Sequence, residues 1–447
     1  MADTVVAEPL AVETIDLSAL THCRGLVGEC DLPGDPELST VALAFGALVE
    51  GETTVARCSQ RPEVVAIAQP LSMLGAEVSF EGETATISGG GLQKTESVLE
   101  ARTPTAFSCV AGVLAGSPFG GTVAIEEGYL RSARSALDAL ESFGVVVRAT
   151  EEPPYQAEIG VNVPKPGSYA LGEPDSAIKA AVFLAALGQS GTFEMIQDLA
   201  GEDDLEVLFR RAQGRLDKGR VEDADGHRIV FEGPQELHPS DHVLPGDATA
   251  AGCLMGLAAL LPESDLSIRD ANTDWKTRRL IDLLRRFNVG IEIEKTRTES
   301  GIASRTYRVE SKEELRKIKV AGEYSELFFE EIPLLSVLAS AATGETVIRD
   351  VSGLREGKTD VIGLMAENLR RLDARVGEIS DGLVIEGTSA LQGGEVDGGG
   401  DARVTLALVV AGLAAEGETK IVNPGPVEAT YPGILGRIAS VVQVKGR

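Results

Sequence analysis

The sequence has few aromatic residues and a large deficit of positive charge. Only 4% of its 447 residues are Phe, Tyr or Trp, so its cores must be filled mainly by Ala, Leu, Val and Ile. Lys and Arg number 41 against 69 Asp and Glu, which gives a formal net charge of −28. Because so acidic a surface repels nucleic acid and anionic lipid, we expect no nucleic-acid partner and no membrane binding.

Long apolar runs and targeting signals are also missing. The uncharged run between Asp247 and Glu263 has only 15 residues, too few to cross a bilayer. The segment Met1 to Leu20 carries four acidic residues and no basic one, unlike a secretory or mitochondrial leader. These features predict a cytoplasmic protein.

The Cys and His residues form no spaced set. The cysteines are odd in number and contain no CxxC pair, so they predict reduced, buried thiols and not disulfides or a zinc site. We interpret the histidines as surface loop residues, and we expect neither a metal nor a cofactor. The residues concerned are Cys23, Cys30, Cys58, Cys109, Cys253, His22, His227, His238 and His242.

A unit of about 70 residues is repeated six times along the chain. In each copy an Ala/Leu-rich stretch leads through a turn to a Thr or Ser and then to a short β-branched run. The anchors, Thr53, Thr122, Thr192, Ser264, Thr346 and Thr419, are spaced by 69, 70, 72, 82 and 73 residues. Such regular spacing indicates one supersecondary unit used six times.

Each unit predicts a buried helix, a strand and a surface helix. The first helix is apolar almost all round, and the β-branched run after the turn is typical of a strand. Most copies then continue into an amphipathic helix that ends at a residue such as Gly75, Gly144 or Asn288. The predicted amphipathic helices are Glu63–Leu74, Leu130–Phe143, Leu205–Leu216, Thr277–Phe287 and Val361–Leu372.

A single unit cannot cover its own apolar faces, so several must assemble around a common centre. Three units fit the usual size of a domain. The Gly- and Asp-rich stretch 213–245 divides the six copies into two sets, and a second crossing is expected near 30–32. The predicted division is one lobe of residues 31–243 and another of 1–30 with 244–447.

Several motifs now resemble those of a known family. They are LPGD at 32–35, LPGDATAAGCLMGLAAL at 244–260, EEIPLLSVLASAATGETVIRD at 330–350, AENLRRL and DGLVIEG between 366 and 387, GDARVTLALVVAGLAAEG at 400–417, and ATYPGI at 429–434. Together they resemble EPSP synthase, the shikimate-pathway 3-phosphoshikimate 1-carboxyvinyltransferase family, over almost the whole chain. The resemblance implies an α/β fold of two domains, each of three βαβαββ units forming an inside-out α/β barrel, with the active site in the cleft between them.

The resemblance also implies a reaction and its substrates. An acceptor hydroxyl, nominally on shikimate 3-phosphate, adds across the enol double bond of phosphoenolpyruvate, and phosphate is then expelled. Both substrates are phosphorylated carboxylates, so the cleft is expected to supply many Lys and Arg side chains. We expect a monomer that binds small anionic substrates.

In the first half of the chain the motifs depart from the family pattern. In the loop that reads PGDKSxSxR in the family, Pro36, Glu37 and Val41 replace a Lys, a Ser and an Arg. Ser108 replaces the Arg of the family's GNAGTAxR helix start. Asp175 brings a carboxylate into the family's SSQxKS motif. These changes remove positive charge and add negative charge.

The second half keeps more of the pattern. Glu330 replaces the catalytic Asp of DEIP, and Lys358 stands in place of the catalytic Glu. The His of DHR and the Lys before Tyr-Pro are replaced by Ala402 and Ala429. Losing the cations at 36, 41, 108 and 429 costs on the order of 6–12 kcal/mol as an upper bound, so weakened recognition of both family substrates is expected.

The resemblance suggests a set of site residues. Acid–base work falls to Glu330, with help from Asp247 or Lys358; Asp247 also fits a helix N-cap. The expected substrate-binding residues are Arg102, Arg131, Ser176, Lys179, Arg355 and Arg403. Each has a plain structural alternative: solvation for Arg102, an ion pair for Arg131, Arg355 and Arg403, and a role in the fold for Ser176 and Lys179.

Three hypotheses on function stay open at this point. The first is an enolpyruvyl transferase acting on the two family substrates, with a weakened site. The second is a non-catalytic homologue that binds another ligand or a protein partner, which the clustered motif changes suggest. The third is the same transfer to a less anionic acceptor, for which fewer cations are needed.

Overall fold

A computed structural model describes residues 15–161, 165–172, 175–198, 203–221, 226–311, 314–387 and 390–444. Its strands are β1 (Leu20–Thr21), β2 (Cys23–Asp31), β3 (Gly51–Ala56), β4 (Glu77–Glu81), β5 (Thr84–Gly89), β6 (Leu99–Ala101), β7 (Gly121–Ile125), β8 (Val147–Ala149), β9 (Gln156–Ile159), β10 (Gly167–Gly172), β11 (Gly191–Gln197), β12 (Asp217–Arg220), β13 (His227–Gly233), β14 (His242–Val243), β15 (Asp265–Asn272), β16 (Ile291–Glu299), β17 (Ile302–Glu310), β18 (Lys319–Val320), β19 (Glu345–Ile348), β20 (Arg375–Ile379), β21 (Gly382–Glu386), β22 (Glu395–Asp397), β23 (Glu418–Val422) and β24 (Val442–Val444).

The α-helices alternate with these strands along the chain. They are α1 (Pro36–Ala47), α2 (Pro62–Val65), α3 (Ala68–Met73), α4 (Pro104–Gly116), α5 (Leu130–Ser142), α6 (Ser176–Leu187), α7 (Asp204–Arg211), α8 (Ala248–Leu260), α9 (Trp275–Arg286), α10 (Glu323–Leu327), α11 (Ile332–Ala341), α12 (Val361–Arg371), α13 (Ala402–Ala414), α14 (Val427–Thr430) and α15 (Ile434–Val441). Short 3-10 turns cover Glu127–Tyr129, Phe329–Glu331 and Ser352–Arg355.

The described strands form six sheets, one for each repeat. In the sheet ordered β6-β7-β9-β8, β6 runs parallel to β7, whereas β7 and β8 pair antiparallel with β9. The sheets β14-β3-β5-β4, β10-β11-β13-β12 and β18-β19-β21-β20 repeat this pattern. The predicted α/β class is therefore confirmed.

The beginning of the described chain pairs with its later half. Strand β2 runs parallel to β15 and antiparallel to β24, and β1 pairs with β23. One hydrophobic core is formed by buried residues between Leu20 and Leu32 and between Ala250 and Val441, and another by buried residues between Leu38 and Leu244 together with Ile302. We call the part around the second core the first lobe and the part around the other core the second lobe. The division at 31–243 stays a prediction, which the two cores support.

The first helix of each unit lies inside a lobe because it has no polar face to expose. In α8, nine consecutive residues from Ala250 to Ala258 are buried. Helices α4 and α6 pack backbone to backbone, and a Cβ at Gly112 would lie 2.5 Å from the carbonyl oxygen of Ala181. Small residues thus let the buried helices of one lobe approach closely.

Identical tetrapeptides connect the two lobes. Leu32–Asp35 and Leu244–Asp247 both read LPGD. They run side by side: the backbone N–H of Asp35 donates to Pro245 O at 3.0 Å, and that of Asp247 donates to Pro33 O at 2.8 Å. This double crossing leads directly into α1 and α8, and we call the region around it the cleft floor.

The surface helices differ in detail from their predicted bounds. The stretch predicted as Glu63–Leu74 is broken into α2 and α3, because Pro70 lacks an N–H and is tolerated only in the first turn of a helix. Helix α7 ends at Arg211, five residues before its predicted end, and Gln213 then takes a positive φ of 64°. The three predicted stop residues, Gly75, Gly144 and Asn288, all have positive φ.

The Cys and His predictions differ in outcome. All five cysteines are buried and free, as expected. The interpretation of every His as a surface residue is wrong for His242, which is 3% exposed. Burial lowers the pKa of His242 to about 4, so its imidazole is neutral. No helix in the described residues is long and apolar enough to span a membrane.

Candidate active site in the cleft

Carboxylate caps place helix N-termini at the cleft. Asp35 Oδ1 accepts a hydrogen bond from Leu38 N at 2.9 Å, at the start of α1. Asp247 Oδ1 accepts one from Thr249 N at 2.7 Å, at the start of α8. Asp247 is thus the N-cap that the sequence indicated. Since the caps are acidic, the positive ends of both helices are already neutralised by the chain itself.

A recess lies where the N-terminal ends of α8, α11 and α13 meet. Its lining combines side chains from four of the motifs quoted above: Thr249, Cys253, Glu330, Glu331, Leu334, Arg403, Leu406, Ala407 and Tyr431. The lining mixes apolar side chains with the charged groups of Glu330, Glu331 and Arg403.

Arg403 is the cation of this recess. Its guanidinium binds the Asp401 carboxylate through Nη2 to Oδ2 at 2.7 Å and Nε to Oδ1 at 3.1 Å, and its Nη1 lies 3.3 Å from Glu330 Oε1. Burial alone would lower the pKa of Arg403. The neighbouring carboxylates of Asp401 and Glu330 outweigh this effect, so the pKa of Arg403 is raised. Glu330 is more than half exposed, so this carboxylate faces an incoming ligand.

Glu331 has a different environment from its neighbour. It is 5% exposed, and its Oε1 accepts a hydrogen bond from Thr249 Oγ1 at 2.7 Å. Burial raises the pKa of Glu331, while the Lys276 charge and the Thr249 hydroxyl oppose that rise. Two adjacent carboxyl groups, one buried and one exposed, are suited to opposite proton-transfer roles.

Arg61 reaches the cleft from the first lobe. Its guanidinium donates to the buried carboxylate of Asp247 and lies 4.8 Å from the ring centre of Tyr431. Burial opposes its charge, yet Asp247 outweighs that effect and raises the pKa of Arg61. Burial also raises the pKa of the Tyr431 hydroxyl. Arg61 therefore joins the floor of the cleft to the second lobe.

Carboxylates dominate the other side of the cleft floor. Asp35 and Asp204 are each 8% exposed, and the charges of Asp35, Asp204 and Asp274 act on one another. Burial, reinforced by Glu37, raises the pKa of Asp35 to about 7. Burial together with Asp274 and Asp35 raises the pKa of Asp204 well above its usual value. We call Asp35, Glu37, Asp204 and Asp274 the acidic cluster.

Lys276 stands between the recess and the acidic cluster. Its Nζ lies 3.9 Å from Glu37 Oε1, and its pKa is raised first by Glu37 and further by Glu331, Asp274 and Asp35. Arg61 and Lys276 are cations from positions that the motifs did not predict. The expected depletion of positive charge is therefore partly offset, although both cations face carboxylates of the chain.

Of the predicted residues, the structure brings Glu330, Arg403 and Asp247 to the cleft floor and the recess. Lys179 lies elsewhere, inside the first lobe with 0% of its side chain exposed. Its ammonium group donates to Asp203 and, at 2.9 Å, to Glu206. Since Lys179 is fully engaged by these two carboxylates, its geometry fits the structural alternative.

Arg355 also contacts the chain itself. Its guanidinium donates to Asp360 Oδ2 at 2.8 Å and to Ile379 O at 3.0 Å, and lies 3.4 Å from a Glu378 oxygen. This set ties the turn at 352–355 to the β20–β21 hairpin. Lys358, in the following loop, is exposed and has no ion pair within the described residues.

The remaining predicted residues lie on the first lobe. Arg102 and Arg131 are exposed, and neither side chain has an ion pair in the part of the chain that the structure describes. Ser176 begins α6 and is half-buried. The charges of Glu330 and Arg403 in the second lobe act on Tyr129, which lies close to Arg131 in the sequence. The start of α5, where Arg131 lies, therefore faces the second lobe.

Sequence reasoning missed several cleft residues for two different reasons. Glu331 and Tyr431 lie inside quoted motifs, and their apolar neighbours were a usable signal of burial. Arg61 and Lys276 lie outside every quoted motif, and a lone cation in a helical region is ordinarily solvated. No group of three or more His, Cys, Asp or Glu among the described residues has the arrangement of a metal site.

The six repeated sheets and the recess define an α/β protein with charged side chains gathered where the starts of three buried helices meet. Comparison with known proteins then specifies the family. The family model of EPSP synthase (3-phosphoshikimate 1-carboxyvinyltransferase) matches residues 20–438. The chain belongs to this family.

Relatives and solved structures agree with that assignment. The 3-phosphoshikimate 1-carboxyvinyltransferase of Geobacter sp. (strain M21) is 30% identical over 94% of this chain and 98% of its own length. The 3-phosphoshikimate 1-carboxyvinyltransferase of Bacillus cytotoxicus is 27% identical over 94% of this chain and 98% of its own length. The Acinetobacter baumannii EPSP synthase structure has a TM-score of 0.78 at 22% identity, covering 96% of this chain and 98% of its own. The structure of the enolpyruvyl transferase NikO from Streptomyces tendae has a TM-score of 0.73 at 17% identity, covering 96% of this chain and 98% of its own.

Proposed function

We propose that this chain transfers the carboxyvinyl group of phosphoenolpyruvate to an acceptor hydroxyl. The observation that carries the proposal is the recess itself, where Glu330, Glu331, Arg403 and Tyr431 come together from motifs that carry the family resemblance. Shikimate 3-phosphate, the acceptor in the relatives' name, is the first acceptor to test. A non-catalytic homologue is not favoured by the comparisons.

In the proposed reaction, the acceptor oxygen bonds to C2 of phosphoenolpyruvate as a proton is added to C3. The C2–O bond to phosphate then breaks and a proton leaves C3, which restores the double bond. Glu331 is suited to donate the proton, because burial raises its pKa above the ordinary value of a Glu side chain. Glu330 is the carboxylate that accepts the proton of the hydroxyl.

The other residues hold and orient the substrates. Arg403 is fixed by Asp401 in a two-bond contact, which aims its guanidinium at the recess without a loss of side-chain freedom on binding. Asp247 caps α8 and binds Arg61, so we assign it a positioning role. Arg102 and Arg131 of the first lobe are proposed to contact the substrates from the opposite wall.

The experiment is phosphate release from phosphoenolpyruvate in the presence of shikimate 3-phosphate. Glu331→Gln and Glu330→Gln should each lower kcat about 10²–10⁴-fold, the usual range for loss of a general acid or base. Arg403→Ala should raise the KM for phosphoenolpyruvate. The matched control is Arg134→Ala, an exposed ion pair on α5. If none of the hydroxyl acceptors tested at millimolar concentration leads to phosphate release, the proposal is contradicted.

Location and assembly stay predictions. The cytoplasmic location predicted from the sequence stays a prediction. Residues of one chain line the recess, so we propose a monomer.

A further inference from the structure

Tyr431, which lines the recess, lies at the start of a tight turn between α14 and α15. We call residues 431–434 the Tyr431 turn. The backbone N–H of Ile434 donates to Tyr431 O at 3.1 Å. The Glu428 carboxylate accepts a hydrogen bond from Gly433 N at 2.9 Å. Gly433 takes a positive φ of 74°, so the turn depends on the conformational freedom of glycine at this position.

Arg437, in the first turn of α15, binds both the Tyr431 turn and the first lobe. Its Nη1 donates to Pro432 O at 3.3 Å, and its Nη2 donates to Glu83 Oε1 at 2.6 Å. Gly433 leaves room for this guanidinium, because a Cβ there would collide with Arg437 Nη1. Glu83 lies in the turn between β4 and β5, and β5 packs in the core of the first lobe, whereas α15 packs in the core of the second. One guanidinium therefore connects a hairpin of one lobe with a recess segment of the other.

The first lobe contacts Tyr431 at a second point. The Arg61 guanidinium lies 4.8 Å from the centre of the Tyr431 ring. The loop that carries Arg61 is joined to the β4–β5 turn, because Cys58 N donates to Glu83 O at 2.7 Å. This part of the first lobe thus contacts the ring of Tyr431 directly and, through Arg437, the backbone that follows it.

The other hairpin that reaches across the lobes is held in a different way. The β16–β17 hairpin packs in the second lobe, yet Ile302 at its tip is 2% exposed and lies in the first-lobe core. Ser300 Oγ also accepts a hydrogen bond from Val243 N at 3.2 Å. The Glu83–Arg437 contact is ionic and open to solvent, since 43% of the Glu83 side chain is exposed. Salt should therefore weaken the Glu83–Arg437 contact more than the apolar packing of Ile302.

We propose that Arg437 is a positioning residue, whose pair with Glu83 lets the first lobe hold the Tyr431 turn and so fix one wall of the recess. An ordered wall lowers the entropy cost of binding a ligand there, so the expected consequence is on affinity and not on the chemical step. The inference rests on the proposed function only in the choice of phosphoenolpyruvate as the ligand.

Amide hydrogen exchange of the ligand-free chain tests the connection between the lobes. Glu83→Gln keeps the shape of the side chain and removes its charge, so the amides at 433–437 should exchange about two- to fivefold faster, the range that a partly exposed ion pair implies. Arg437→Gln should have a similar effect, and the double variant should add little to either. The Cys58 amide, bound to the backbone oxygen of Glu83, should exchange as before.

Salt gives a second measurement on the same amides. In about 1 M sodium chloride the natural chain should exchange at 433–437 nearly as fast as Glu83→Gln, whereas the variant should respond little. Unchanged exchange at 433–437 in Glu83→Gln overturns the inference.

Kinetics of phosphate release show whether the effect reaches the recess. Glu83→Gln and Arg437→Gln should each raise the KM for phosphoenolpyruvate about two- to fivefold and leave kcat within about twofold, because a looser wall weakens binding and leaves the proton-transfer groups in place. Arg437→Lys keeps the charge and should recover part of the loss. The matched control is Arg308→Gln, which breaks an exposed two-bond contact with Asp265 within the second lobe and should leave KM unchanged.

The positioning role and the proposed function fail separately. Faster exchange at 433–437 in Glu83→Gln, without phosphate release by the natural chain, keeps the connection between the lobes and removes the transferase reaction. Phosphate release by the natural chain with the same KM in Glu83→Gln, or with an equal rise of KM in Arg308→Gln, keeps the proposed function and removes the positioning role of Arg437.

Discussion

The recess and the acidic cluster lie on the same cleft floor but balance their charges differently. Arg403 in the recess binds Asp401, and Arg61 beside the recess binds Asp247, so positive and negative groups are matched there. In the acidic cluster, Asp204 lacks such a partner and the pKa of Asp35 is raised to about 7. The difference indicates that the chain itself matches the charges at the recess, whereas buried carboxylates of the acidic cluster are left with raised pKa values.

The recess and the acidic cluster also differ in how closely their sequences resemble the family motifs. The recess is built from 244–260, 330–350, 400–417 and 429–434, which resemble the family closely. The acidic cluster includes Glu37 and borders Asp175, where the chain departs from the family pattern.

The largest expected effect comes from the double crossing that carries both regions. A Cβ at Gly34 would lie 1.6 Å from the carbonyl oxygen of Arg57, and backbone cannot yield there as a side chain can. We expect Gly34→Ala to lower the free energy of unfolding by more than about 4 kcal/mol, or to prevent folding. Urea unfolding or the yield of soluble protein measures this.

Gly91→Ala is the control for that substitution, because a Cβ at Gly91 meets nothing within 4 Å and the residue has no positive φ. Its stability should equal that of the natural chain within about 0.5 kcal/mol. A Gly34→Ala protein as stable as Gly91→Ala would contradict the geometry of the crossing.

A smaller loss of stability is expected from a substitution beside the recess. Arg61→Ala leaves the buried Asp247 carboxylate without its partner and removes the contact with the Tyr431 ring. Breaking a buried ion pair of this kind costs about 3–5 kcal/mol, which the midpoint of urea unfolding reports. Arg134→Ala, which breaks an exposed pair, should cost less than about 1 kcal/mol. Equal effects of the two substitutions would mean that the recess is not held by this pair.

The smallest change in the free energy of unfolding is expected in the acidic cluster. Here the substitution should stabilise the folded chain, whereas the two substitutions above destabilise it. The pKa of Asp204 is raised in the folded state, so the folded chain binds its proton more tightly than the unfolded chain. Stability therefore falls as pH rises above the unfolded value of about 4. At pH 8 Asp204→Asn should gain about 1–2 kcal/mol over the natural chain, and at pH 4 the gain should vanish.

The groups that face Asp204 are Asp203, Asp274 and Asp35, with Arg278 as the opposing cation. Thermal unfolding of both proteins across pH 4–8 measures the difference. A gain that is independent of pH would show that Asp204 does not carry the charge that the comparison with the recess assigns to it.

Local sequence patterns predicted much of the fold. The six anchors all lie at the start of a strand or directly before one, and the apolar helices of each unit are buried. These features depend on interactions within a few residues, which hydrophobic periodicity records well. Where the pattern failed, the cause was also local: Pro70 divides one predicted helix, and the positive φ of Gln213 follows an early helix end.

The site was less predictable. Motif resemblance brought Glu330, Arg403 and Asp247 to the cleft, because each lies in a segment whose fold is shared with the family. It gave no sign of Arg61, which lies 186 positions from its partner Asp247. Lys179 and Arg355 matched family motifs, yet carboxylates of this chain engage both of them.

The sequence by itself determined the repeated unit, the buried and exposed faces of its helices, and the acidic caps, since each is encoded within one unit. The tertiary structure alone decided which charges meet across the cleft and which buried carboxylate is left without a partner. The physical reason is that an ion pair depends on distance in space and on removal of water, and neither is fixed until the two lobes pack against the double crossing.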